Sequence, residues 1–178
     1  MRYRSSRRSR EADLGRMHKA HMKRSLEITS EPISEAALLA QRRTSDDAGA
    51  VVCFLGIVRR TEDEFTIRAI EYEAFQQMAE HQFHLLFDAV EKKWPIESVR
   101  LIHRVGVVPV NEPSLWVEVV AGHRQEAFAA CQWLIDQMKQ VVPIWKKPIQ
   151  QSKMKRMKQG KRKKFGGPDV LAGTFRGW

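Results

Sequence analysis

The chain has 178 residues, enough to bury one domain and too few to require two, and 43% of them are hydrophobic. No run approaches the ~20 apolar residues of a membrane span, no secretory-type apolar stretch is seen, and two isolated cysteines without CxxC spacing offer neither a disulfide framework nor a metal site. The net charge of +10 is unevenly spread: residues 1–24 hold nine Lys/Arg against Glu11 and Asp13, residues 153–178 hold nine against Asp169, and the middle is net acidic.

The Arg/Ser-rich start and the run KMKRMKQGKRKKFGG near the end have little to bury, a composition typical of solvated, disordered segments. The expected division is a basic N-terminal extension over residues 1–27, one domain over 28–150 and a basic C-terminal tail over 151–178. Such tails attract phosphate or carboxylate surfaces weakly and in a salt-sensitive way, so nonspecific or no nucleic-acid contact ranks ahead of a dedicated role. Arg and Ser content gives the N-terminus some likeness to a transit peptide, but Glu11, Asp13 and the lack of an apolar face count against it, and the expected location is cytoplasmic.

Ser34 can cap a helix over Glu35 to Arg43, which ends in the polar turn Thr44 to Asp47. Gly49 to Val58 is almost wholly apolar and reads as a central strand, with Cys53 as a core hydrophobe; Arg59 to Glu64 reads as a loop. In Phe65 to Phe75, Ile70, Tyr72 and Ala74 alternate with Glu71 and Glu73, the period of a strand. A helix over Gln76 to Lys93 buries Phe83, Leu86, Phe87 and Val90 and stops at Trp94-Pro95; its His81 and His84 lack a third nearby ligand and read as packing or surface residues. Val99 to Val105 and Ser114 to Ala121 follow as strands, joined through Gly106 to Pro109 and the turn Asn111 to Ser114. The last helix opens at His123, shows Ala127, Phe128, Cys131, Leu134, Ile135 and Met138 as a buried stripe, and breaks at Val142-Pro143. This order implies an α+β domain with helices packed on a mainly antiparallel sheet. No repeat is visible, and the absence of GxGxxG, GxxxxGK[ST] and GxSxG patterns counts against nucleotide-dependent or serine-hydrolase chemistry.

Basic residues bracket the last helix: His123 and Arg124 at its start, Lys139 in its final turns, Lys146 and Lys147 just beyond. At about 100° per residue, Lys139 projects close to the apolar stripe, where desolvation and neighbouring cations make an amine usable as a nucleophile or proton donor. The alternative is a lysine that snorkels from a core edge to water. Arg124 and Lys139 lie about 22 Å apart along one straight helix, too far for one compact pocket, so a second copy is expected to bring its His-Arg corner to this lysine in a homodimer with composite sites. Arg59 ends the apolar strand just after Gly56 and suits an anion, although it could equally begin a solvated loop. Together these cations fit a small, phosphorylated substrate, with Arg giving bidentate contacts and Lys point charges.

Five segments stand in unbroken order: Gly49 to Arg59, Tyr72-Glu73-Ala74-Phe75 with Met78-Ala79-Glu80, His103-Arg104-Val105-Gly106, His123 to Phe128, and Lys139 with Val142 to Lys147. Through them the chain, over residues 28–150, resembles the large, catalytic subunit of molybdopterin synthase. The resemblance implies an α/β-hammerhead-like domain that inserts two dithiolene sulfurs into cyclic pyranopterin monophosphate without a metal or cofactor. It implies as sulfur donor a small ubiquitin-like partner ending in a Gly-Gly thiocarboxylate, and two large subunits forming a homodimer with one small subunit at each end, a heterotetramer. Carried onto this sequence, it makes Lys139 the principal catalytic residue and Lys146 its companion. Arg59, His123 and Arg124 would bind the pterin and its phosphate, with Ile57, Val58 and Lys147 lining the same pocket. Gly166-Gly167 is internal and reads as linker, not as a sulfur donor.

The chain departs from the pattern at Ile57, often lysine in the family, at Pro148, often acidic, and in its C-terminal segment. That segment can supply an arginine across the dimer, which leaves Arg156, Arg162 and Arg176 as unassigned substitutes. Two other readings are a noncatalytic dimeric scaffold and a basic-tailed nucleic-acid-binding protein. Retention of Lys139, Lys146 and Arg124 favours the enzyme, and the tails offer only Tyr3, Phe165, Phe175 and Trp178 for base stacking.

Overall fold

The computed structural model describes residues 21–62 and 64–150; residues 1–20 and 151–178, which hold most of the expected extension and tail, lie outside the described residues. The elements are β1 (Lys23–Thr29), α1 (Glu35–Gln41), β2 (Ala50–Ile57), β3 (Thr61–Glu62), β4 (Phe65–Ala74), α2 (Gln76–Lys93), β5 (Ile96–Arg104), β6 (Gly106–Pro109), β7 (Pro113–Ala121), α3 (Arg124–Val141) and β8 (Ile144–Gln150). The α+β expectation holds. No helix among the described residues is long and apolar enough to cross a membrane.

The first sheet runs β1-β5-β7-β2, antiparallel except for the parallel β1–β5 pair. Its one face carries α2 and α3 over a core in which Phe83, Phe87, Leu101, Val117, Val119 and Leu134 are almost wholly removed from water. The opposite face holds a smaller cluster of Leu38, Ile102 and Trp116 beneath α1, whose first turn is capped by Ser34 accepting from the Ala37 amide. In the second sheet β4 is central: β6 pairs along one side, β8 along the other, and β3 closes on its start.

Several expectations change. Residues 23–27 belong to β1, not to an extension: Met22 is buried in the core, and Arg24 pairs with Asp88, at 2.5 Å, and Glu91 on α2. β2 is an edge strand among the described residues, paired only with β7, despite its unbroken apolar run. Cys53 is therefore exposed, its Sγ accepting from Arg42 Nη2 at 2.9 Å beside Glu118. Phe128 is 62% exposed; Ala130 takes its place in the buried stripe of α3. The expected loops at 59–64 and 106–109 contain β3 and β6, and β8 follows Pro143 where no strand is expected. Short strands that borrow their pairing from β4 have too few residues to show a period of two.

Candidate active site

Where the two sheets meet the C-terminal end of α3, a cavity of about 530 Å³ opens. The end of β2 supplies Ile57, with Val58 and Arg59 just beyond; α3 supplies Met138 and Lys139; β8 supplies Ile144 and Lys146. Local rules explain the convergence. Val142 caps α3 and Pro143 prevents its continuation, so the chain turns out of the helix straight into β8 and returns along β4. On β8, Lys146 lies opposite Tyr72 and faces the cavity, whereas Lys147, opposite Glu71, falls on the other face of the pleat. At Gly56 an added Cβ would come within 3.1 Å of the Leu115 Cβ, so glycine lets the end of β2 lie close to β7.

Positive charge dominates the mouth. Arg59 is 79% exposed, and Lys146 is 57% exposed with its Nζ ion-paired to Glu62 Oε1; Glu62 Oε2 lies 3.7 Å from Arg59 Nη2. The Glu62 side chain is only 10% exposed, and the Lys146 ammonium holds its carboxyl below the usual range against the opposing effect of burial, helped by Arg59. Lys139 lines the cavity without an ion pair or hydrogen bond among the described residues. It is exposed, so the half-shielded amine expected from the helix pattern is not reproduced within one chain.

The floor is polar and neutral. His103 is buried, and its Nδ1–H donates to the Arg104 carbonyl at 2.9 Å; burial pushes the imidazole from the ordinary 6.5 down to about 4. Tyr72 packs edge-on against that ring at 5.4 Å between centroids and donates to Ser114 Oγ at 3.2 Å, which in turn donates to the Gly56 carbonyl at 3.3 Å. A cationic rim over a neutral hydrogen-bonding floor can hold an anionic group at the mouth and a flat heterocycle beneath it.

Of the expected site residues, Ile57, Val58, Arg59, Lys139 and Lys146 come together, and Lys147 does not join them. His123 and Arg124 are exposed at the opposite end of α3, outside the cavity of their own chain. The sequence reading gave no role to Glu62, Tyr72, His103 or Ser114. Tyr72 shares the inward phase of Ile70 on β4, which was a usable signal, whereas Glu62 sits among acids that read as a solvated loop.

The MoaE protein family matches residues 28–141. The molybdopterin synthase catalytic subunit of Thermoplasma volcanium is 41% identical over 124 residues, spanning 70% of this chain and 90% of that one. The crystal structure of molybdopterin synthase from Staphylococcus aureus is similar with a TM-score of 0.66 at 33% identity, covering 74% of this chain and 95% of that one. A complex of subunits 1 and 2 of molybdopterin-converting factor from Helicobacter pylori shares the fold with a TM-score of 0.57 at 21% identity, covering 72% of this chain and 91% of that one.

Proposed function

This chain belongs to the MoaE family of molybdopterin synthase catalytic subunits, and we propose that it inserts two sulfurs into cyclic pyranopterin monophosphate during molybdenum cofactor biosynthesis. The observation that carries the reading is the convergence of Arg59 from just beyond β2, Lys139 from α3 and Lys146 from β8 on one cavity. Arg59 and Lys146 hold the cyclic phosphate and stabilise negative charge as it develops. Lys139, which has no ion-pair partner among the described residues, assists transfer from a thiocarboxylate as nucleophile or as general acid/base. The sulfur comes from a small ubiquitin-like partner whose C-terminal Gly-Gly thiocarboxylate enters the cavity, glycines being slim enough for a narrow path. The Helicobacter pylori structure, a complex of subunits 1 and 2, is in keeping with a partner subunit.

A second copy completes the site with His123 and Arg124. The starts of β2 and α3 touch, since a Cβ on Gly49 would lie 2.1 Å from the Gly122 carbonyl oxygen. Pairing the edge of β2 that no other described strand occupies antiparallel with that of another copy sets the start of one β2, and with it His123-Arg124, beside the other chain's Arg59. The same operation runs the two α3 helices antiparallel. Phe128, exposed beside a groove of about 440 Å³ between β2 and α3, is then covered by the same face of the second copy. The test mixes the full-length protein with a thiocarboxylated small subunit and cyclic pyranopterin monophosphate and assays dithiolene. Wild type is expected to form it and Lys139→Ala to lose at least about 100-fold in rate; an undiminished Lys139→Ala rate rejects the role.

A further inference from the structure

The cavity's two lysines stand in unlike surroundings. Lys146 is ion-paired to Glu62, whose other oxygen leans toward Arg59; Lys139 has no such partner among the described residues. Glu62 is the one carboxylate among the described residues that line the cavity. It is also fixed in place: β3 pairs it with Phe65, and the side chain is nearly buried. An anion so far removed from water is tolerated because two cations meet it, and in return it restrains them. The other titratable groups lining the cavity are Arg59, Tyr72 opposite Lys146 on β4, His103 on β5 and Lys139 on α3.

We propose that Glu62 is a positioning residue that divides labour between the lysines: its carboxylate fixes Lys146 as an oriented, charged donor and leaves Lys139 as the amine that exchanges a proton. The inference deepens the proposed sulfur transfer and rests on it for its chemistry, yet lysine reactivity is measured without substrate. An ammonium locked to a carboxylate must break that pair before it can react, whereas a free amine need not. Glu62 thus prevents two neighbouring amines from competing for one electrophile.

The experiment is trace acetylation of the full-length protein with limiting acetic anhydride at a mildly alkaline pH, read lysine by lysine with mass spectrometry, for wild type and Glu62→Gln. In wild type, Lys139 is expected to react about fivefold or more faster than Lys146; Glu62→Gln should raise Lys146 reactivity about fivefold and leave Lys139 nearly unchanged. Equal reactivity in wild type, or an equal rise at both lysines in the variant, overturns the proposal. Should Glu62→Gln fail to fold, the wild-type comparison decides alone. Activity separates the two readings: unequal lysines in a wild-type protein that never forms dithiolene would sink the sulfur-transfer reading and leave the division of labour standing, whereas equal lysines in an active protein would do the reverse.

Discussion

At the scale of single residues, charge and burial set what the cavity can do. His103 is the clearest case, because burial keeps its ring neutral down to about pH 4 while an unfolded histidine takes up a proton near 6.5. Protonation therefore favours the unfolded chain: the His103 contribution to stability is complete above pH 6.5 and shrinks as pH falls from 6.5 toward about 4. Denaturant melts near neutrality and near the bottom of that window should differ by up to about 3 kcal/mol, and His103→Asn should remove most of the difference. Equal pH dependence in both proteins would show that another group is responsible. Residue identities in the cavity were only partly legible beforehand. Arg59 and Lys146 stood out as cations at element ends, but the acid that pairs with them did not. A buried Glu62 exists because Lys146 reaches it from β8, 84 positions along the chain, while Arg59 leans in from three residues before it; the local pair alone reads as part of a solvated loop, and no local spacing records the meeting with Lys146.

At the scale of elements, the long helices and the strands around them could be read closely from periodicity. The buried residues expected in α2, Phe83, Leu86, Phe87 and Val90, are all buried in the structure, together with Ala79, because an 18-residue helix repeats its pattern several times. The apolar run of β2 misled, since hydrophobic side chains on both faces suit a central strand and equally an edge strand that awaits a partner. Phe128 misled in the same way: it has the right spacing for the stripe but lies on the flank of α3 beside the groove under β2. The junction between β2 and α3 gives a sharp test. In Gly49→Ala the new methyl would meet backbone, not a yielding side chain, so one element must shift. A loss of about 2–3 kcal/mol in a denaturant melt is expected, and a neutral substitution would show that the junction tolerates movement.

At the scale of the whole molecule, the account requires two copies, because α3 holds Lys139 and Arg124 at opposite ends. Phe128 is mostly exposed in one chain, so Phe128→Asp should leave each chain folded while weakening dimerisation at least about tenfold. Sedimentation velocity and a thermal melt of the same sample check both halves of that expectation. The helix length made this need visible in the sequence, whereas the edge that answers it required the strand order. The most direct test of the composite site combines two inactive variants. Lys139→Ala and Arg124→Ala proteins, dissociated, mixed and reassembled, should regain about a quarter of the wild-type dithiolene-forming rate, since half of the dimers are hybrids and each hybrid holds one intact site. No recovery above the separate variants, in mixtures shown to contain hybrids, would contradict the account.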